Sequence, residues 1–131
     1  MKGVDTTFLI HLLRSDVGAL SKALQLDREP IVFTAEASVY EIISGIEKAG
    51  DVAHSLHDIE KLLSRMTVLP LDHKASIKAG LLYRELAQKG RMIDDIDCLI
   101  AGTLLANGCN TIITRNKKHF ERIAGLAVEE Y

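Results

Sequence analysis

The chain lacks several features that mark common classes of protein. It has no tryptophan, two prolines and two cysteines in 131 residues, and no apolar run approaches the roughly 18 residues that a transmembrane helix needs. Cys98 and Cys109 lie in apolar segments without a CxxC partner. This favours reduced thiols in a cytoplasmic protein over a disulfide framework or a zinc site. The N-terminus has no charged region followed by an apolar one, so we expect neither a secretory signal nor a membrane partner.

Motifs of several catalytic classes are also missing. The sequence contains no glycine loop of the P-loop or dinucleotide-binding type, and no serine or cysteine nucleophile with an evident base. A net charge of −2 does not indicate a strongly basic nucleic-acid-binding protein, although a local basic patch is compatible with it. His54 and His57 are expected on the surface of a polar helix. No metal-ligand spacing is found among the five histidines, which are His11, His54, His57, His73 and His119.

The length of the chain predicts one domain over residues 1–131. Its 47% hydrophobic residues are enough to bury a core. Strands alternate with helices, which predicts a parallel sheet covered on both faces, with function at the carboxyl ends of its strands. Expected N-caps are Thr6 or Thr7, Thr34 and Asp72, and expected stop signals are Gly50 and Gly90. The predicted strands are 2–5, 31–34, 67–71, 111–114 and 126–130, and the predicted helices are 6–13, 17–26, 35–48, 51–66, 72–89, 94–107 and 117–123.

Asp97 is an unexpected residue in the predicted helix 94–107. Acids in the first turn of a helix are favoured by its dipole, which accounts for Asp94 and Asp95. Asp97 instead shares the apolar face of the helix, and an unpaired buried carboxylate is expected to find a partner or to bind a cation. The other residues on this face are Ile93, Ile100, Ala101 and Leu104.

Asp5 and Glu41 each have two interpretations. Asp5 follows the first predicted strand, where it can cap the next helix, lie in a functional site, or do both. Glu41 points away from the apolar stripe of its helix, which favours a solvated side chain. Its neighbours along that face are all small, however, and would let a ligand or another backbone approach; they are Ala37, Ser38, Ser44 and Gly45.

Thr114 and Asn116 follow the predicted strand 111–114. Thr114 could hydrogen-bond a phosphate, and Asn116 could cap the next helix, supply a neutral oxygen ligand or orient a water. If the acids of separate elements meet in one cleft, each raises the pKa of the others unless a cation is present. A cluster of oxygen ligands suits Mg²⁺ or Mn²⁺, which can polarise a phosphate and activate water.

Four segments, in this order and spacing, resemble the PIN domain, specifically the VapC-like toxin ribonucleases of type II toxin–antitoxin pairs. They are VDTTFLIHLL, ASVYEIISGIEKAG, GRMIDDIDCLIAGTLLANG and TIITRNKKHFERIAGLAVEEY, and together they cover essentially the whole chain. The resemblance implies a three-layer α/β/α sandwich with a central five-stranded parallel sheet. It assigns the catalytic positions to Asp5, Glu41, Asp97 and Asn116, with Mg²⁺, or alternatively Mn²⁺, held by Asp5 and Asp97. Asn116 departs from the family's fourth acid, and Asp94 is a secondary candidate ligand.

The same resemblance implies hydrolysis of RNA, whose single-stranded loops expose their bases. It also implies a homodimer and a small VapB-like antitoxin that blocks the cleft, with partner contacts expected on residues 35–66. Arg91, Arg115 and Lys117 could steer phosphate or could be solvated surface. The alternatives are a PIN nuclease of RNA processing outside a toxin pair, a receiver-like phosphoacceptor or phosphatase, and a non-catalytic binding module. A receiver would need paired acids after the first strand, where Asp5 stands alone.

Overall fold

The computed structural model of the chain describes residues 1–46 and 52–131, with the backbone alone for residues 52–54. The strands in this part of the chain are β1 Lys2–Val4, β2 Val32–Ala35, β3 Thr67–Leu69, β4 Thr111–Ile113 and β5 Ala127–Glu129. The helices are α1 Thr6–Leu13, α2 Val17–Leu26, α3 Glu36–Ser44, α4 Val52–Leu63, α5 His73–Gln88, α6 Asp95–Ala106 and α7 Lys117–Phe120. None of these helices is both long enough and apolar enough to cross a membrane.

The strands form one five-stranded sheet in the order β3-β2-β1-β4-β5, and every neighbouring pair is parallel. Gly3 in the central strand pairs with Phe33 on one side and Ile112 on the other. The chain builds outward from β1 in one direction through β2 and β3, and in the other through β4 and β5. The strand order therefore reverses between β1 and β4, and in open parallel sheets ligands bind at the carboxyl ends of the strands at such a point.

Two apolar cores cover the two faces of the sheet. Consecutive residues of β4 point to opposite faces, as the period of a strand requires, so that Ile112 joins one core and Ile113 the other. The first core contains residues of α5, α6 and α7, the second contains residues of α1, α2 and α4, and α3 contributes to both. This arrangement confirms the predicted three-layer α/β/α sandwich.

Several helix boundaries differ from the predictions. α4 ends at Leu63 and α7 at Phe120, each three residues before its predicted end. Among the candidate caps of α1, Asp5 makes the bond, because its backbone is extended and its Oδ1 accepts the N–H of Phe8 at 2.9 Å, and Thr6 and Thr7 lie inside the helix. Thr34 lies inside β2, so Ala35 occupies the N-cap position of α3 without a side-chain bond. The helix ends at Ser44, before the predicted end at residue 48. The predicted stop at Gly50 and the predicted start of the next helix at residue 51 lie outside the described residues.

The predicted ends of α5 are confirmed: Asp72 accepts the N–H of Ala75 at 3.0 Å, and Gly90 follows the helix with a φ of +64°. Helices α5 and α6 approach each other through small residues. A Cβ added at Gly102 would lie 2.6 Å from the backbone nitrogen and Cα of Ala79. This close crossing brings α6 down onto the sheet and holds its first turn at the edge where β1 and β4 end.

Candidate active site

Asp5 lies at the carboxyl end of β1, and its side chain joins the ends of β1 and β4. The residue is 2% exposed. One carboxylate oxygen accepts the N–H of Phe8, and the other accepts the hydroxyl of Thr114 at 2.5 Å. Burial raises the pKa of Asp5 to about 6; the bonds from Thr114 and Phe8 oppose this shift, and the charges of Asp97 and Glu41 add to it. Asp5 is thus both a helix cap and a buried carboxylate.

Thr114 supports Asp5 instead of facing a substrate. It is fully buried, and its hydroxyl oxygen accepts the N–H of Asn116 at 2.8 Å while donating to Asp5. The hydroxyl proton is used in the bond to Asp5, so in this arrangement Thr114 has no proton to donate to a phosphate. Its place in the site is to orient the carboxylate of Asp5.

Asp97 lies in the first turn of α6, and its side chain is 14% exposed. Its predicted position on the buried face is confirmed, because Ile100, Ala101 and Leu104 are all inaccessible to solvent. Burial raises the pKa of Asp97; a hydrogen bond from His119 lowers it, and the charges of Asp94 and Glu41 raise it further. The carboxylate is therefore desolvated, and the site contains other negative charge.

Glu41 completes a group of carboxylates from three separate elements. It lies on α3 and is half-buried, not fully solvated. Its charge contributes to the raised pKa of both Asp5 and Asp97. The three acids, from the end of β1, the middle of α3 and the start of α6, are close enough to repel one another.

His119 is the residue that the sequence reasoning missed. Its Nδ1 lies 2.9 Å from Oδ2 of Asp97, a contact that could not be predicted from the spacing of the histidines. One ligand atom each of Asp94, Asp97 and His119 lies within 4.8 Å of the others. Asp94 and Asp97 lie more than twenty positions before His119, so no sequence spacing links them to it. Its spacing from Asn116, three residues away on one helical turn, was the only available signal.

Asn116 occupies the N-cap position of α7, but its side chain makes no capping bond, which corrects the predicted cap. Its amide nitrogen instead lies 2.8 Å from Nδ1 of His119 and 3.4 Å from Oδ2 of Asp97. The side chain thus joins the acidic cluster at the position where a fourth ligand was expected.

The three basic candidates have different surroundings. Arg115 donates to both carboxylate oxygens of Asp16, at 2.5 and 3.3 Å, and lies 4.4 Å above the ring of Tyr131. Lys117 lies 3.3 Å from a carboxylate oxygen of Glu130. Arg91 is exposed. Arg115 therefore links the end of β4 to the start of α2 through its ion pair with Asp16, which offsets its charge.

The chemistry of the donor set suits a divalent cation, although Asp5 and Glu41 lie outside the group of ligand atoms of Asp94, Asp97 and His119 that are within 4.8 Å of one another. Asp5, Glu41 and Asp97 offer carboxylate oxygens, which Mg²⁺ and Mn²⁺ prefer. A bound cation would offset the repulsion and the desolvation that raise the pKa values of Asp5 and Asp97. Among the described residues, the buried hydroxyls of Thr6 and Ser38 have no hydrogen-bond partner. Thr6 follows Asp5 directly and Ser38 precedes Glu41 by one helical turn, so both lie beside the acids in the chain.

Comparisons with known proteins identify related chains with the same fold. The model of the PIN domain family matches residues 3–126. The tRNA(fMet)-specific endonuclease VapC of Shigella flexneri is 30% identical over 128 residues, which are 98% of this chain and 96% of that protein. The structure of DNA-bound VapBC from Salmonella typhimurium superimposes with a TM-score of 0.82 at 29% identity, covering 98% of this chain and 96% of that one. VapBC2 of Rickettsia felis, bound to a DNA fragment from its promoter, shares the fold with a TM-score of 0.87 at 24% identity, covering 99% and 98%.

Proposed function

This chain belongs to the PIN domain family, and from that premise we propose that it is a metal-dependent endoribonuclease, the toxin of a type II toxin–antitoxin pair. Its reaction is the hydrolysis of a phosphodiester bond in RNA. The unit that carries the activity is residues 1–131 as one domain, acting in the cytoplasm. The VapC relatives support the nuclease activity, and the VapBC complexes among the structural relatives support the pairing with an antitoxin.

The observation that carries this proposal is the meeting of Asp5, Glu41 and Asp97 at one edge of the sheet. Desolvated acids that raise one another's pKa destabilise the folded chain at neutral pH. The cluster lies at the carboxyl ends of parallel strands, where proteins of this architecture bind their ligands. Acids that lower the stability of the fold at such a place are typical of a catalytic site. The cluster therefore favours a metal-dependent hydrolase over a non-catalytic binding module.

We assign the roles from these positions. Asp5 and Asp97 hold Mg²⁺, or Mn²⁺ in its place, and Glu41 orients the attacking water and accepts its proton. When bound, the ion supplies positive charge to the phosphate oxygens and makes water a better nucleophile. Thr114 keeps the carboxylate of Asp5 in position. Arg91, which is exposed, attracts the phosphate backbone.

The substrate class is RNA with accessible single-stranded bases, such as the loops of a structured RNA. The Shigella flexneri relative is named for its action on tRNA(fMet). A pool of transfer RNAs is therefore the first substrate to test.

Cleavage of this pool by the purified protein tests the proposal. The reaction is run with Mg²⁺, with Mn²⁺ and with EDTA, for the wild type, Asp97→Asn and Asp95→Asn. Asp95→Asn is the matched control, because it removes an exposed carboxylate from the same helical turn. We expect metal-dependent cutting by the wild type and by Asp95→Asn, and loss of at least about 100-fold in rate for Asp97→Asn. Cutting that survives EDTA or Asp97→Asn would contradict the assignment.

The antitoxin is proposed to occupy an open groove between α1, α3 and α4. The groove has a volume of about 480 Å³ and includes Glu41, so a segment lying in it reaches the acidic cluster. Five large apolar residues supply half of its lining, which suits an apolar segment of the partner; they are Ile10, Leu13, Ile42, Ile46 and Ile59. Arg14 at the same groove offers a contact for an acidic residue of that segment.

The proposed homodimer has a candidate contact on α5. Ile77 and Leu81 are 50% and 58% exposed and lie four residues apart, on one face of the helix. Sedimentation of the wild type and of Leu81→Glu measures the oligomeric state. A dimer that Leu81→Glu converts to a monomer supports the contact, and a monomeric wild type at high concentration refutes it.

A further inference from the structure

Three polar atoms from α6 and the start of α7 lie unusually close together. Nδ1 of His119 is 2.9 Å from Oδ2 of Asp97 and 2.8 Å from the side-chain nitrogen of Asn116. The same nitrogen of Asn116 is 3.4 Å from Oδ2 of Asp97. The atoms form a small triangle in which every edge is within or near hydrogen-bonding distance.

One orientation of the Asn116 amide lets a proton on Nδ1 of His119 serve both short edges. If Nδ1 of His119 carries a proton, it donates to Asp97 but faces the amide N–H₂ of Asn116, which is also a donor. If Nδ1 carries none, it accepts from Asn116, but its lone pair then faces the carboxylate of Asp97. Rotating the amide by 180° gives Nδ1–H two acceptors, and then leaves the amide oxygen 3.4 Å from the carboxylate oxygen. The first two arrangements leave like groups in contact, whereas the rotated amide brings two oxygens and one nitrogen together without a clash.

A cation at the apex of the triangle satisfies all three corners at once. With the amide rotated, the corners are a carboxylate oxygen, an amide oxygen and an imidazole nitrogen, all of them metal ligands. In octahedral coordination with bonds of about 2.1 Å, neighbouring ligands lie about 3.0 Å apart. Two observed edges, 2.8 and 2.9 Å, are close to this separation, and the third, 3.4 Å, is longer.

We propose that Nδ1 of His119 is a direct ligand of the divalent cation, together with Asp97 and the amide oxygen of Asn116, and that this nitrogen makes the site prefer Mn²⁺ to Mg²⁺. This inference rests on the proposed function, since Asp97 is a ligand of the cation in both. Imidazole nitrogen binds first-row transition metals better than Mg²⁺, and Mn²⁺ is the one among them that also favours carboxylate and amide oxygens. A carboxylate oxygen of Asp94 lies within 4.8 Å of the ligand atoms of Asp97 and His119. Asp94 is thus close enough to contact the ion through a water.

Pulsed electron paramagnetic resonance of the Mn²⁺-loaded protein tests the ligand directly. The spectrum reports nitrogen bound to the metal through its magnetic coupling. We expect a coupling that changes from the ¹⁴N to the ¹⁵N pattern when only the histidines carry ¹⁵N. The measurement needs no substitution and no turnover, so it is independent of folding defects and of the RNA chosen.

Substitution identifies which histidine contributes. His119→Asn keeps a polar atom near the position of Nδ1 but removes the imidazole, and His73→Asn changes an exposed histidine at the start of α5. Calorimetry on each variant gives the dissociation constants for Mn²⁺ and Mg²⁺. We expect His119→Asn to abolish the nitrogen coupling and to weaken Mn²⁺ binding by at least about tenfold relative to Mg²⁺ binding. We expect His73→Asn to match the wild type.

The outcomes separate this inference from the proposed function. Mn²⁺ binding without nitrogen coupling, or coupling that survives His119→Asn, overturns the assignment of His119 and leaves the nuclease standing. An equal loss of affinity for both ions also overturns it, because His119 would then act only by positioning Asp97. Absence of divalent-ion binding together with absence of RNA cleavage overturns both.

Discussion

The buried carboxylate of Asp5 makes the folded chain less stable at neutral pH, and Asp5→Asn should remove that cost. The pKa of Asp5 is about 6 in the folded chain, against an ordinary value of 3.8. Between these two pH values the folded chain keeps a proton that the unfolded chain has released. The free energy of unfolding therefore falls as the pH rises through this window, and the cost is complete above pH 6.

The expected magnitude follows from the two pKa values. A difference of about two pKa units corresponds to about 3 kcal/mol at pH 7.5, since each unit is worth about 1.4 kcal/mol. Asn keeps the N-cap of α1. Its N–H₂ group faces the hydroxyl of Thr114, however, and the loss of a good hydrogen bond there costs about 1 kcal/mol. Asp5→Asn should thus raise the free energy of unfolding by about 2 kcal/mol at pH 7.5 and should give no gain at pH 4, where the carboxyl is protonated.

Urea unfolding in EDTA at both pH values measures this difference. Asp72→Asn is the matched control, because it changes another N-cap carboxylate, at an exposed position on α5. If Asp5→Asn changes stability by the same amount at pH 4 and pH 7.5, the desolvation argument is refuted. We also expect Asp5→Asn to lose metal-dependent cleavage, because substitutions that stabilise a catalytic site commonly reduce its activity.

Two further predictions concern the framework of the site. Gly102→Ala should lower the free energy of unfolding by about 1–3 kcal/mol in urea, because its Cβ would meet the backbone of α5; Gly80→Ala, with no atom within 4 Å of the new Cβ, should be neutral or stabilising. Arg115→Ala should lower the melting temperature because it breaks the ion pair with Asp16, and Asp16→Ala should lower it more because it also removes the N-cap of α2; the double variant should lose less than the sum of the two, since both changes break the same ion pair. If Arg115 served the RNA instead, Asp16→Ala would free it and strengthen RNA binding in a filter assay.

Much of the fold could be predicted from the sequence, because hydrophobic periodicity and caps are local signals. The order of strands and helices, Asp72 as a cap and Gly90 as a stop were all predicted, and the structure has them. Errors occurred where two local signals competed. Thr34 is a good capping residue, but it also continues the apolar run of β2, and burial in the strand prevailed.

The candidate site was predictable only in part. Asp5 and Asp97 could be singled out because a carboxylate at a strand end, or on an apolar helix face, conflicts with its surroundings. Thr114 and Arg115 have no such conflict in the sequence. Their partners, Asp5 and Asp16, lie about a hundred residues away along the chain. Only the pairing of β4 beside β1 brings these residues into contact.

The sequence by itself determined the alternation of strands and helices, hence a parallel sheet with its acids at the carboxyl edge. Tertiary structure alone decided which atoms meet at that edge. The contact of His119 with Asp97 depends on how α6 and α7 lie on the sheet, and that depends on close packing at residues such as Gly102. Periodicity sets which face of an element is buried, whereas packing sets the ångström-scale distances on which metal ligation depends.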